Sequence, residues 1–182
     1  MLGIVFTEFI EMVEEEFSPD VADDIIVAME EFLPSKGVYT AVGEYDHTEI
    51  LQLVTHLSEK TNIPVADLVE VFGRHLFSRF VIRYPEFFDS VDDIFVFLMG
   101  IEDHIHREVR KLYPHAELPT FSYQRPEPNK LIMDYSSTRP FSHLALGLIR
   151  GASAHFGTDI ELQMVSPAES EGRKATFTLV RR

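Results

Sequence analysis

A proline-rich segment divides the chain into two parts with different hydrophobic patterns. Residues 114–128 contain Pro114, Pro119, Pro126 and Pro128, so this segment cannot form a continuous helix. Before it, apolar residues recur at helical spacing, whereas after it strand patterns flank one helix. We therefore predict an α+β fold, with a helical N-terminal lobe and a C-terminal lobe that combines an antiparallel sheet with helices.

The spacing of apolar residues gives approximate bounds for these elements. The helices predicted before the proline-rich segment span residues 2–17, 20–33, 46–60, 64–84 and 90–113. The elements predicted after it are a strand at 131–139, a helix at 140–156 and a hairpin of strands at 160–165 and 175–180. Gly147 and Gly151 are small enough to let the last helix approach another element closely. We expect one domain over 1–182, with lobes at 1–60 and 61–182.

Charge and cysteine content exclude several classes of function. The 16 Lys and Arg residues are outnumbered by 30 Asp and Glu, and the net charge of −14 would repel nucleic acid and anionic membranes. The absence of cysteine excludes disulfides, thiol nucleophiles and thiolate metal sites. Because the N-terminus lacks the basic region of a secretory signal and no apolar run approaches the roughly 20 residues of a membrane span, we expect a cytoplasmic protein.

Two of the eight histidines, His104 and His106, are closely spaced on a predicted helix. Residues i and i+2 of a helix lie about 200° apart, so these two imidazoles cannot bind one metal ion together. A helical wheel places His106 at the edge of the apolar stripe and His104 at the opposite edge, which favours His106 as the inward-facing ring. The alternative is a buried histidine that is satisfied by a carbonyl group or by Glu102.

A row of hydrogen-bond donors is predicted on the strand at 131–139. Tyr135, Ser137 and Arg139 alternate along the strand and would project from one face. A phenol, a hydroxyl and a guanidinium can together bind carboxylates, and arginine does so with two parallel bonds. The alternative is an ordinary polar strand face.

One neutral histidine facing an apolar cavity, together with donors for two carboxylates, is what a noncovalent haem requires. The chain resembles the heme-nitric oxide/oxygen binding (H-NOX) family, which includes the haem lobe of soluble guanylate cyclase. The resemblance covers nearly the whole chain. It rests on Met1-Leu2-Gly3, Phe9-Ile10, Phe72-Gly73-Arg74, Phe97-Leu98-Met99, Tyr113-Pro114, Tyr135-x-Ser137-x-Arg139 and Gly147-Leu148-Ile149-x-Gly151.

The resemblance implies haem b held between the two lobes. The family's iron ligand lies seven residues before its Tyr-Pro step, which falls on His106. The other positions that the resemblance assigns to the haem are Tyr135, Ser137 and Arg139 on the propionates, Pro119 on the macrocycle, and Val5, in preference to Ile4, as the N-terminal contact.

The distal positions concern the choice between O₂ and nitric oxide (NO). In O₂-binding members a tyrosine, supported by polar residues on two other helices, donates to bound O₂; here those positions fall on Leu144, Phe9 and Leu76. Bound O₂ benefits from a hydrogen bond that NO does not need, so an apolar pocket favours NO. His75 and His143 neighbour these positions, and a donor role for either would reverse this expectation.

The resemblance further implies a sensor and not an enzyme. NO would weaken the bond between His106 and iron, and the lobe at 1–60 would then shift. Because no cyclase, kinase or methyl-accepting segment follows Arg182, we expect an effector in trans, such as a histidine kinase or a cyclic-di-GMP synthase or phosphodiesterase.

Other functions remain open at this stage. One is an interaction domain whose donor row binds carboxylates of a partner, and another is an O₂-sensing or redox-sensing haem protein. A haem peroxidase is disfavoured, because the predicted distal side offers no inward-facing histidine and arginine.

Overall fold

The computed structural model describes all 182 residues and has an α+β fold, as predicted. Its helices are α1 (Gly3–Glu16), α2 (Pro19–Met29), α3 (His47–Thr61), α4 (Val65–Arg83), α5 (Ile94–Met99), α6 (Arg107–Leu112) and α7 (Ser142–His155), with a π-helix at Ile101–His106. The strands are β1 (Thr120–Glu127), β2 (Lys130–Ser136), β3 (Ile160–Val165) and β4 (Lys174–Arg181). They form one antiparallel sheet in the order β1-β2-β4-β3. No helix is both long and apolar enough to cross a membrane.

The prediction of one continuous helix over 90–113 is wrong. The structure has three helical segments there, which are α5, the π-helix and α6. α5 ends at Met99, and the N–H of the following Gly100 lies 3.1 Å from the Val96 carbonyl and 3.0 Å from the Phe97 carbonyl. The π-helix follows directly and carries the chain into α6. A π-helix has more residues per turn than an α-helix, and hydrophobic periodicity does not reveal such a short change. The segment that contains His106 therefore has its own geometry.

Strand β1 was missing from the prediction, because it lies inside the proline-rich segment. It forms the edge of the sheet, and its pairing with β2 shifts register between Gln124 and Glu127. An edge strand with such an irregularity tolerates Pro126, since a proline cannot donate a ladder hydrogen bond. The strand predicted over 131–139 is also too long: β2 ends at Ser136.

One other predicted bound differs from the structure. α2 ends at Met29 and not at residue 33, and Leu33 is buried in the segment that follows. Residues 30–46 consist mainly of turns and irregular structure that lead into α3.

The buried hydrophobic residues form two clusters that meet along α4. One cluster contains Phe9 of α1 and Leu76 of α4, whereas the next residue, Phe77, belongs to the cluster beneath the sheet. The second cluster includes Met133 and Phe177, on the face of the sheet that packs against the helices. Because α4 contributes to both clusters, the clusters do not mark a boundary between lobes near residue 60. That boundary stays a proposal.

Helices α4 and α7 approach each other so closely that only glycine fits at their crossing. A Cβ atom at Gly147 would collide with the Glu70 carbonyl oxygen and lie 2.8 Å from the Gly73 Cα atom. A Cβ atom at Gly151 would lie 2.6 Å from the Phe77 side chain. The close approach predicted from these glycines is therefore confirmed, and its partner is α4.

The start of α5 is fixed by Asp93 and the last strand. The Asp93 carboxylate accepts hydrogen bonds from the N–H groups of Phe95 (2.8 Å) and Val96 (3.0 Å), so it caps the helix. The Arg181 guanidinium lies 2.6 Å from both carboxylate oxygens and 4.1 Å from the Phe95 ring centroid. The hydrogen bond from Arg181, aided by the two N–H groups, lowers the pKa of Asp93 from its usual value.

We expect Asp93→Ala to lower the free energy of unfolding by about 1–2 kcal/mol near neutral pH, because it removes a helix cap. The pKa of Asp93 is lower in the folded state, so this stabilisation is present above the ordinary pKa of 3.8 and is lost as the pH falls through the folded-state pKa. Urea denaturation at several pH values measures both effects.

The matched control is Asp92→Ala, which removes the same charge from an exposed residue one position earlier. An equal loss in both variants, or a loss in Asp93→Ala that does not change with pH, would contradict this prediction.

Candidate functional site

A cavity of about 410 Å³ lies between the helices and the sheet. Hydrophobic side chains make up 26 of its 35 lining residues. Its volume and its apolar lining are typical of a site for a small organic molecule. Its polar lining residues include His106, Tyr135, Ser137, Arg139 and Glu117.

His106 presents one ring nitrogen to the protein and leaves the other without a partner. It is the last residue of the π-helix and only 8% exposed. Its Nδ1 atom lies 3.2 Å from Oε1 of Glu102, whereas Nε2 makes no hydrogen bond to the protein. Burial lowers the pKa of His106, and the nearby carboxylate of Glu102 only partly opposes this. The buried ring is thus a neutral imidazole, which is the form that binds metals.

His104, which the helical wheel directed away from the cavity, is exposed and does not line it. Its ring packs edge-on against Phe87, with 6.0 Å between the ring centroids. His75 lies between α1 and α4, 3.6 Å from the carboxylate of Glu8, and lines neither this cavity nor the smaller one described below. His143 lines neither cavity.

The three predicted donors, Tyr135, Ser137 and Arg139, line the cavity. They do not lie on one face of one strand, as predicted, because β2 ends at Ser136. Tyr135 is on β2 and only 4% exposed, whereas Ser137 and Arg139 follow the end of the strand. The backbone N–H of Arg139 donates to Ser137 Oγ over 3.1 Å, so the turn itself orients the arginine. Burial raises the pKa of the Tyr135 phenol, which therefore stays a protonated donor at neutral pH.

Arg139 is paired with a carboxylate that the sequence did not indicate. Its Nη2 atom lies 3.0 Å from Oε2 of Glu117, and its Nη1 atom donates to the Glu117 carbonyl oxygen over 3.2 Å. The Nε atom of Arg139 is buried without a partner. The guanidinium is therefore paired with one carboxylate and retains one unused donor.

Two further nitrogen groups adjoin Arg139, and sequence patterns gave no signal for either. The Met1 amino group donates to the Tyr45 carbonyl oxygen over 2.7 Å. Burial, followed by the charge of Arg139, lowers the pKa of this amino group and of His47. Only the tertiary fold brings these groups within electrostatic range of Arg139, and of the two only Met1 lines the cavity.

A smaller apolar pocket adjoins the main cavity. All nine of its lining residues are hydrophobic, and Val5 and Leu144 line both spaces. Phe9 lines only the smaller pocket, and Pro119 lines only the main cavity. Leu76, predicted at the same site, is instead buried in the first core and lines neither space.

Comparisons with known proteins agree on one family. The family model described as Haem-NO-binding matches residues 2–164. The unliganded Fe(II) H-NOX protein of K. algicida is 38% identical and superposes with a TM-score of 0.92, covering 100% of this chain and 97% of that one. The H-NOX of Shewanella woodyi, solved in the Fe(II)CO state with IWP-051 bound, is 39% identical with a TM-score of 0.83, covering 100% and 95%.

Two further relatives extend this comparison. The H-NOX protein of S. oneidensis in the Fe(II)NO state is 29% identical with a TM-score of 0.89, covering 100% of this chain and 99% of that one. The soluble guanylate cyclase gcy-33 of Caenorhabditis elegans is 28% identical over an alignment of 185 residues, which covers 99% of this chain but only 19% of that protein. Because the family model matches most of the sequence, this chain belongs to the haem-NO-binding (H-NOX) family.

Proposed function

We propose that this protein is a haem-based NO sensor that excludes O₂ and regulates a separate signalling enzyme. The observation that carries the proposal is the unpartnered Nε2 atom of His106 in an apolar cavity that Arg139 also lines. A neutral imidazole and a carboxylate-binding guanidinium are the two attachments that a noncovalent haem needs.

The residues present fit haem b. His106 would bind the iron through Nε2, and Tyr135, Ser137 and Arg139 would bind the propionates. The pairing of Glu117 with Arg139, together with the unused Nε donor, supports carboxylate binding there. Pro119 and Val5 would contact the macrocycle, and the iron would supply the site for a diatomic gas.

The lining of the smaller pocket supports preference for NO over O₂. Phe9 and Leu144 line it, and none of its nine residues carries a polar side chain. Bound O₂ therefore gains no hydrogen bond from these side chains, whereas NO needs none. The same absence of polar groups among these residues disfavours peroxidase chemistry, which requires acid and base groups near the gas site.

The protein response that we propose starts at His106. His106 would hold the iron that supplies the site for NO, and loss of that attachment would remove a constraint on this ring. The π-helix could then move relative to β1, whose Phe121 ring centroid lies 6.1 Å from that of His106. A displacement between helix and sheet would change the surface that an effector recognises.

The effector that we propose is a histidine kinase or a cyclic-di-GMP synthase or phosphodiesterase acting in trans. The match to one part of a guanylate cyclase supports a signalling role. The net charge of −14 favours a partner surface with complementary charge over nucleic acid or an anionic membrane.

The first test is uptake of hemin by the purified protein, followed by absorption spectra of the reduced form with NO, CO and O₂. We expect hemin uptake, complexes with NO and CO, and no stable O₂ complex. His106→Gly should lose the histidine-ligated spectrum and regain it with added imidazole, because the small ligand replaces the missing ring. His104→Gly is the matched control and should behave as the wild type. A protein that takes up no hemin would overturn the proposal.

Arg139→Met should release haem roughly 10- to 100-fold faster, because a hydrogen bond to a charged group contributes about 1.5–3 kcal/mol. Haem transfer to an apoglobin in excess measures this rate. The control Arg125→Met removes an equal charge from an exposed residue that does not line the cavity. Equal rates in the two variants would rule out a specific role of Arg139.

Leu144→Tyr should raise the affinity for O₂, because the phenol adds a donor to the apolar pocket. Leu144→Phe adds a ring of similar size without the hydroxyl and should leave O₂ binding undetectable. Absorption spectra of the reduced proteins in air distinguish the two variants. If Leu144→Phe binds O₂ as well as Leu144→Tyr, pocket shape and not polarity controls the selectivity.

A further inference from the structure

We propose that Glu102 is a positioning residue that orients His106 and strengthens its bond to the haem iron. The inference rests on the proposed function, since it requires His106 to bind iron. It starts from a contact of this chain, the 3.2 Å distance between His106 Nδ1 and Glu102 Oε1.

The Glu102 carboxylate is fixed by more than the histidine. Its Oε1 atom also accepts a hydrogen bond of 2.9 Å from the backbone N–H of Phe121, at the start of β1. Its Oε2 atom lies 3.7 Å from Nη2 of Arg110, one turn beyond the histidine. With these groups around it and a side chain only 22% exposed, the carboxylate has little freedom to turn away from the ring.

The hydrogen bond selects the tautomer of His106. An ionised carboxylate only accepts, so Nδ1 must carry the proton and Nε2 must present its lone pair to the cavity. Glu102 thus prepares the nitrogen that faces the cavity for binding iron. A carboxylate that accepts from a metal-bound imidazole also makes the ring a stronger electron donor.

A stronger donor changes two properties of the bound haem. It favours the ferric over the ferrous state, which lowers the reduction potential. It also strengthens the iron–histidine bond, so Glu102 slows the release of His106 after NO binds. In this protein, release of His106 starts the response to NO, and Glu102 controls the rate of that release.

The neighbouring polar groups do not offer the same contact. Asp103 is exposed and forms no hydrogen bond through its side chain, and the hydroxyl of Tyr123 is buried without a partner. Glu102 therefore differs from Asp103 in geometry but not in charge, which makes Asp103 a matched control.

The experiment compares Glu102→Gln with Asp103→Asn in the haem-loaded protein. Glutamine retains an oxygen for the Phe121 N–H but presents a neutral acceptor to His106. We expect Glu102→Gln to shift the iron–histidine stretching band in resonance Raman spectra to lower frequency and to raise the reduction potential. Release of His106 after NO mixing, followed by stopped-flow absorption, should be about tenfold faster, in line with the effects of outer-shell partners. Asp103→Asn should match the wild type.

A second variant covers the case in which Glu102→Gln folds poorly. Glu102→Asp retains the charge but shortens the reach to Nδ1, so it should shift the Raman band in the same direction. The inference is overturned if every folded Glu102 variant retains the wild-type band and release rate, or if Asp103→Asn changes both equally. Failure of the proposed function is distinct, because the wild type would then show no iron–histidine band that depends on His106.

Discussion

The contact between α4 and α7 at Gly73 and Gly147 determines how the rest of the molecule is arranged. Backbone atoms of the two helices approach so closely there that a methyl group on either residue would meet the other helix. α4 contributes to both hydrophobic cores, and α7 carries Leu144 and Leu148 into the wall of the main cavity. A larger residue at the crossing would separate the helices, at a typical cost of about 1–3 kcal/mol, and would change the cavity.

Cationic groups are few, and their placement is selective. In a chain of net charge −14, Arg139 and Met1 both line the main cavity. Burial, followed by the charge of Arg139, lowers the pKa values of the Met1 amino group and of His47, so this arrangement opposes the protonation of both groups. Glu117 partly neutralises the charge of Arg139. A carboxylate bound in the cavity would relieve the repulsion from Arg139 further, which gives a physical reason for placing this cation there.

Local patterns were sufficient to predict most of the fold and part of the site. Apolar periodicity located the helices and the terminal hairpin, because each buries one face of regular period. It also distinguished the buried His106 from the exposed His104. β1 was missed, because the prolines of residues 114–128, of which Pro126 lies in the strand itself, argue against a strand unless the strand is known to lie at a sheet edge. Leu76, which the resemblance assigns to the haem site, is buried on α4 in the first core and lines neither cavity, and its role there stays a prediction.

Glu117 and the Met1 amino group had no signal in the sequence, since their proximity to Arg139 depends on three distant segments. Glu102 is an intermediate case. Its spacing of four residues from His106 made it a possible hydrogen-bond partner. The hydrogen bond from the Phe121 N–H to Glu102 could not be predicted, because Phe121 lies on β1, the strand that the sequence did not indicate. A local sequence pattern can indicate that two side chains are in contact. The third group that holds them in place comes from a distant segment, so only the fold reveals it.

The π-helix that contains His106 is joined to the sheet through Glu102. It contains both Glu102 and His106, and Glu102 is bonded to the backbone of β1. A movement of His106 is therefore opposed by a hydrogen bond to the sheet and not only by packing within its own helix. β1 is one of the two edge strands of the sheet and pairs only with β2. A displacement of His106 would thus reach a strand that is hydrogen-bonded to the sheet along only one side.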